Sequence, residues 1–372
     1  MLKSSYEARG IRVQVWSPIS RVFAWTQMPR LSKWVGYIVQ YLIFPFWVHR
    51  QLRGVAKDSL FVFCDQALGP WVPLVKDRPH IVHVHDLLAL RSALGDIPEN
   101  QTSITGRIYQ RYIRRGFQSA HHFISVSKKT HEDLLRFGKV RPKTSEVVYN
   151  GLSFPYAPLT KGEAEQILRS EGLSVWPNGM LLYVGGDQWY KNMPGLLALY
   201  SHYAASRETS LPLWCVSPNP GTELRRIIDQ IPRGGRVEFL QELSNRTLQA
   251  VYSCARALIF PSLAEGFGWP IIEAQACGCP VITTDEPPMN EIAGPAAWYI
   301  PRLRFGEDRS AWAIIGAATL NHLLCTDPLA LARRIENGKT WAQGFRADRA
   351  IERYLAIYRS ILAETNQRCQ AH

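Results

Sequence analysis

Two carboxylates, Glu265 and Glu273, stand eight positions apart in the stretch Pro261-Ser-Leu-Ala-Glu-Gly-Phe-Gly-Trp-Pro-Ile-Ile-Glu273. Between them, Gly266 and Gly268 allow positive φ and let a ligand approach bare N–H groups. Ahead of them Ala257–Phe260 is a short apolar run fit for a buried parallel strand. Behind them Pro270 suits the first turn of a helix, Gly278 and Pro280 suit its end, and Val281–Thr284 reads as the next strand. The segment is therefore strand, tight loop, helix, strand, with one acid on the loop and one on the helix. A helix N-terminus favours negative charge. Free amides for an anion and two acids for hydroxyls suit a sugar joined to phosphate. Open α/β sheets bind ligands beyond the carboxyl ends of their strands, where this loop would lie.

Two acids near a loop are, by themselves, better explained as solvated surface. The surrounding Glu-Gly-Phe-Gly-x-Pro-x-x-Glu-Ala, followed by Ala276-Cys-Gly-Cys-Pro-Val-Ile, decides the matter. It closely resembles the Glu-x7-Glu signature of retaining glycosyltransferases of the glycosyltransferase-B fold, the large family 4 or group 1 type that uses nucleotide sugars. The resemblance covers about residues 60–365 and is densest over 180–300. It implies that Glu273 binds ribose hydroxyls, and that Glu265, with the amides of Gly266, Phe267 and Gly268, binds the donor sugar. Tyr183-Val-Gly-Gly-Asp-Gln-Trp-Tyr-Lys-Asn192 resembles the family segment that carries an Arg and a Lys to the donor diphosphate. Lys191 matches the lysine, a compact point charge suited to phosphate, whereas Gly185 or Gly186 stands where the arginine would be. His85, at the end of the strand Ile81–His85, matches a family histidine close to sugar and acceptor; His80 and His83 nearby are more ordinary core candidates. Glu291 matches a loop close to the donor, or caps a local helix. Metal and cofactor are not expected; the substrate would be a UDP- or GDP-linked sugar.

The elements that must position these residues alternate. In the first half, strands are expected at Ile11–Trp16, Leu60–Cys64, Ile81–His85, His122–Ser127 and Glu146–Tyr149, with helices near 34–50, 104–118 and 128–137. In the second half, strands are expected at Met180–Val184, Leu213–Val216, Val237–Phe239, Ala257–Phe260, Val281–Thr284 and Trp298–Ile300, with helices near 192–205, 222–230, 244–254 and 270–277. Strands alternating with helices imply α/β architecture: two Rossmann-like, doubly wound domains facing a central cleft. The expected division is 1–155 for the acceptor side and 156–346 for the nucleotide sugar, with a last helix within 347–372 crossing back, as the resemblance implies. Relatives precede the helix Met1–Glu7 with a strand and a glycine-rich loop. This sequence has neither ahead of it, so an N-terminal sheet lacking its first strand is expected.

The chain has 372 residues, and seven scattered cysteines do not make a disulfide framework. Cys277 and Cys279 are expected to be small buried residues, and a reducing cytoplasm is the natural setting. The longest apolar stretch, Trp34–Val48, contains Gln40 and Pro45 and is too short to span a bilayer; it is expected to be a helix packed in the first domain. The net charge of +12 falls entirely within residues 1–150; residues 151–372 are neutral. That asymmetry points to an acidic partner of the first domain. Nucleic acid lacks a recognition motif here; a glycan or lipid-linked acceptor and peripheral contact with the inner face of the plasma membrane fit better. Arg107, Arg111, Arg114 and Arg115 recur with Tyr109 and Tyr112 on one helix, either as a solvated basic face or as an acceptor- or membrane-facing one. The expected function is transfer of a sugar with retention, in bacterial polysaccharide biosynthesis. The alternatives are a non-catalytic binding subunit, a nucleotide-sugar epimerase of the same fold and, last, a dehydrogenase, disfavoured because no Gly-x-Gly-x-x-Gly opens either domain.

Overall fold

The computed structural model describes residues 2–18, 36, 38–205 and 207–370. Two parallel sheets organise them. In the first, β1 (Phe61–Phe63), β2 (His80–Val84), β3 (His122–Ser125) and β4 (Thr144–Val147) pair side by side in chain order. The second contains β5 (Met180–Val184), β6 (Leu213–Val216), β7 (Val237–Leu240), β8 (Ala255–Phe260), β9 (Val281–Thr284) and β10 (Trp298–Ile300), in the order β10-β9-β8-β5-β6-β7. From β5 the chain winds outward through β6 and β7, then returns to the other side of β5 to lay down β8, β9 and β10. This is the doubly wound order, and it puts the topological switch point between β5 and β8, where ligands bind in such sheets.

Burial follows from the strands. β2 is buried throughout and alternates its faces. Ile81 joins Ile124, Val148 and the helix Ala347–Gln370 on one side, and Val82 and Val84 join Phe117, Phe123 and Leu134 on the other. The helix Ala347–Gln370 thus packs on the first sheet through Ile351, Tyr354, Leu355 and Tyr358. His83 faces this helix, its Nε2 2.7 Å from the Tyr358 hydroxyl, and burial pushes its pKa down to about 3. It is a neutral core histidine. The two places where the chain passes between sheets lie side by side: Leu152 N–H donates to the Phe345 carbonyl at 2.8 Å, and Leu152 bridges Arg346. Cys277 and Cys279 are buried. Among the described residues no single helix is long and apolar enough to cross a membrane.

One expectation fails, and one is met where the residues are described. Ile11–Trp16 joins neither sheet. Ile11 and Val13 rest against the core under the helix Ala347–Gln370, and the Trp16 ring meets Trp47 and Phe61 edge-on at 5.4 and 5.5 Å. A period of two satisfies any extended segment with one covered side, whether or not ladder bonds form. Within Trp34–Val48, residues 34, 35 and 37 lie outside those described; the remainder is a π-helical turn, Val39–Ile43, running into the helix Phe44–Gln51. Helices at Leu88–Ala93, Lys161–Ser170, Met289–Ala293, Arg309–Leu324 and Pro328–Ala342 complete the layers.

The close passage between sheets requires a bare backbone at Gly151, where a Cβ would lie 2.3 Å from Ala347 Cα. Gly151→Ala is expected to lower the unfolding free energy by about 2 kcal/mol through overpacking, read from the midpoint of a urea titration. An unshifted midpoint would mean that the crossing relaxes freely.

Candidate functional site

The loops leaving β5 and β8 are stitched together before any side chain reaches a ligand. After β5, Gly185 N–H donates to the Val216 carbonyl at 3.1 Å and the Tyr183 hydroxyl donates to the Gly186 carbonyl at 3.2 Å. A short 3₁₀ turn, Trp189–Lys191, ends at Asn192, which is left-handed at φ 55°. Buried Asn192 donates through Nδ2 to the Pro261 carbonyl at 3.1 Å and accepts through Oδ1 from Gly195 N–H at 3.2 Å. Leu263 N–H donates to the Tyr190 carbonyl at 2.7 Å. The β8 loop is also fastened to β9, because Thr284 Oγ1 donates to the Ser262 carbonyl at 2.8 Å.

This framework brings Lys191 and Glu265 together. Lys191 Nζ donates to Glu265 Oε1 at 2.8 Å, and Ser262 Oγ donates to the same oxygen at 2.8 Å. Both side chains are largely shielded, at 14% and 9% exposure. The ammonium also lies over the Phe260 and Tyr190 rings at 5.1 and 5.4 Å. Burial raises the Glu265 pKa; Lys191 and Ser262 pull it back, and the like charge of Asp86 adds to the rise. Asp86 sits across from Glu265 on the loop after β2, and its own pKa is raised by burial, against the N–H of Leu88 donating to its Oδ1 at 2.9 Å. Burial and these two carboxylates push the Tyr190 hydroxyl up to about 12.

Gly266 is where the two lobes touch. A Cβ there would lie 2.0 Å from the His85 carbonyl oxygen, and Gly266's own carbonyl accepts from Ser127 Oγ at 2.8 Å and Thr130 Oγ1 at 3.2 Å. Of the two glycines expected to take positive φ, only Gly268 does, at 103°. Gly266 is glycine because the other lobe leaves no room for a side chain. Phe267 puts its ring into the core, edge-on to Trp269 and Phe345 at 5.3 and 6.0 Å, so only its backbone is available to a ligand. His85 is exposed; its Nε2 lies 2.8 Å from the Cys64 carbonyl, which can only accept, leaving Nδ1 as the lone-pair side of the neutral ring. Glu273 stands apart from the Lys191–Glu265 pair. Its Oε2 accepts from the buried Tyr252 hydroxyl at 2.9 Å, and burial raises its pKa against that bond. Glu291 caps no local helix. It accepts from the N–H groups of Lys128 and Lys129 at 2.7 and 3.3 Å, across the cleft at the start of the helix Lys128–Asp133. Beside Glu265 opens a cavity of about 340 Å³ that reaches Asp96, Glu99, Glu286 and Phe305. Arg302 closes one wall, donating to the Glu99 carboxylate at 2.6 Å.

The sequence reading named neither Asp86, as a site residue, nor Asn192 and Tyr252. Asp86 directly follows His85 and was legible by position; nothing local marks the other two.

The family models divide the chain as the sheets do. "Glycosyltransferase Family 4" matches residues 2–153 and "Glycosyl transferases group 1" matches 178–315, together well over half the chain. This chain belongs to the group 1, family 4 glycosyltransferases. It is similar to O-antigen chain mannosyltransferase B of Escherichia coli, 27% identical over 62% of this chain and 62% of that protein. It is similar also to O-antigen chain mannosyltransferase RfbU of Salmonella typhimurium, 26% identical over 56% of this chain and 54% of that one. The chain thus spans less than two thirds of the length of these relatives. Anabaena HepE, solved in complex with UDP and glucose, superposes with a TM-score of 0.67 at 18% identity, covering 96% of this chain and 89% of that one. The fold is glycosyltransferase-B.

Here a buried cation and anion hold each other, and removing one strands the other. Lys191→Met is expected to cost about 3 kcal/mol in urea unfolding near neutral pH, with much of the loss recovered on adding Glu265→Gln. An unpartnered Glu265 has a folded-state pKa still further above its unfolded value, so the deficit is small in acid and grows as pH rises above the ordinary carboxylate range. A deficit that shrinks with rising pH would contradict the pairing.

Proposed function

We propose that this glycosyltransferase moves a sugar from a UDP- or GDP-linked donor to a hydroxyl of a glycan or lipid-linked acceptor, with retention of anomeric configuration. It would act without cofactor or metal, in the cytoplasm, in bacterial polysaccharide assembly. The observation that carries the proposal is the Lys191–Glu265 pair at the switch point between β5 and β8. The names of the mannosyltransferase relatives and the UDP and glucose held by Anabaena HepE support the substrate class.

A donor diphosphate presents Lys191 with a second anion, and Lys191 exchanges Glu265 for a phosphate oxygen. Glu265 then accepts hydrogen bonds from the donor sugar's hydroxyls. Glu273, oriented by Tyr252, accepts from the ribose hydroxyls. The exposed Nδ1 of His85 accepts a hydroxyl hydrogen and orients the sugar or acceptor. The acceptor oxygen attacks the anomeric carbon on the face that the leaving group departs. The bond to the β-phosphate oxygen breaks, its electron pair leaves with the nucleoside diphosphate, and the hydroxyl proton passes to that oxygen. Lys191 stabilises the departing charge, the largest device available to the site. The acids Asp96, Glu99 and Glu286 in the neighbouring cavity are suited to hold acceptor hydroxyls.

The test is binding and turnover together. A nucleoside diphosphate at a hundredfold over its Kd is expected to stabilise the protein by about 2.7 kcal/mol in a thermal-shift series. Glu265→Gln should cut kcat by about a hundredfold or more while the nucleotide still binds, whereas Glu273→Ala should weaken the nucleotide itself. Inversion in the product's NMR spectrum, or a glycosyl adduct trapped on a carboxylate, would refute the mechanism. Nucleotide binding with no transfer to any hydroxyl acceptor would assign the chain to a binding role.

A further inference from the structure

Resting on the donor reading of the site, we propose that Asp86 is a further residue of it, and that Asp86 and Glu265 together take up one proton when a nucleotide sugar binds. The two acids approach from opposite lobes. Asp86 lies on the loop after β2, against the loop after β8, so that a Cβ on Gly266 would come within 2.9 Å of the Asp86 Cβ. Its Oδ1 accepts from Leu88 N–H at 2.9 Å, which orients the carboxylate and leaves its charge in place. Glu265 is largely shielded from water and Asp86 is half-buried. Burial raises the pKa of both, and the charge of Asp86 adds to the rise at Glu265.

In the free protein Lys191, at 2.8 Å, offsets the charge of Glu265. A donor diphosphate brings further negative charge and engages that lysine, so the two carboxylates are left facing each other. Their other neighbours do not restore the balance. Burial and nearby charges, Glu265 among them, push the Tyr183 and Tyr190 hydroxyls up, so both stay neutral. Asp65, after β1, adds negative charge near Asp86, and the His85 ring beside Asp86 opposes it. Arg302 lines the same cavity as Glu265 but already holds Glu99 at 2.6 Å and lies 3.8 Å from Glu286, its Nε donating to the Leu263 carbonyl at 2.8 Å. Like charges sharing a shielded site do not both stay ionised, and the proton that enters belongs to the pair. It comes from solvent, and no covalent bond changes. One acid then donates while the other accepts, which matches a sugar hydroxyl that does both.

Titration calorimetry of the full chain with UDP-glucose, and with GDP-mannose as a second donor, tests it in buffers of different ionisation enthalpy. Both phosphates of a nucleotide sugar are esterified, so the ligand itself does not titrate near neutral pH. Uptake of about half to one proton per donor bound is expected, with Kd rising by up to about tenfold per pH unit above neutral. The complex holds the proton more tightly than the free protein, so affinity is full in mild acid and lost as pH rises. Asp86→Asn keeps an oxygen for Leu88 N–H and removes one charge. In that variant uptake should fall to near zero, the Kd profile should flatten, and affinity in alkali should equal or exceed that of wild type. Weaker binding at every pH with the proton count unchanged would make Asp86 a structural residue and overturn the proposal. So would uptake that survives Asp86→Asn and vanishes in His85→Gln. Donor binding by the wild-type chain with no proton taken up would overturn it and leave the donor reading standing, whereas binding of neither donor at any pH would overturn both.

Discussion

A carboxylate kept out of water by one lysine and one serine is the constraint on which the site depends. Burying Glu265 would drive it towards its neutral form, and the Asp86 charge pushes the same way. Lys191 at 2.8 Å is what opposes both. Such pairs add little to net stability, because desolvation consumes most of the Coulombic gain. Their value lies in exchangeability. On the proposed function, an incoming diphosphate takes the lysine and releases the acid towards sugar hydroxyls. The surrounding bonds serve to hold the two loops at the right spacing: Asn192 to Pro261, Leu263 to Tyr190, and Thr284 to Ser262.

The same loop bears the contact between lobes. Gly266 touches His85 and takes hydrogen bonds from Ser127 and Thr130. Arg302 reaches Glu99, and Glu291 caps the helix Lys128–Asp133 from the other side of the cleft. Each of these links residues distant in sequence through a few polar bonds, and beside Ser127 and Gly266 the side chains of Val126 and Phe267 share one apolar cluster. Polar contacts of this kind are modest in net strength. On the proposed function, such contacts part to admit a donor and re-form over it, excluding water where charge develops on the leaving group. Glu291 therefore acts on the cleft by joining its walls, and burial together with its bond to Glu291 raises the pKa of Tyr149 beside it.

Much of this was legible in the residues. The β5, β6, β9 and β10 boundaries coincide with apolar runs bounded by turns, and Gly268 and Gly278 take the left-handed conformation that their positions implied. The meeting of Lys191 with Glu265 was legible only through the resemblance, since 74 positions separate them. Three other features follow from tertiary packing. Gly266 is fixed by a backbone from the other lobe, which no local pattern announces. The helix Arg309–Leu324 is apolar on nearly every side, with Ile314 and Ile315 exposed opposite buried Trp312 and Leu320, so its periodicity is blurred. Ile11–Trp16 has a strand's alternation but finds its cover in side-chain packing alone. The helix Lys161–Ser170 begins with a Thr160–Glu163 capping box, a local signal that was passed over.

The most direct measurement is a crystal structure of the protein grown with a nucleoside diphosphate. The β-phosphate is expected within hydrogen-bonding reach of Lys191 Nζ, with Glu265 released from that lysine and the ribose hydroxyls on Glu273. A nucleotide seated elsewhere, with the Lys191–Glu265 contact intact and Glu273 still bonded to Tyr252 alone, would contradict it.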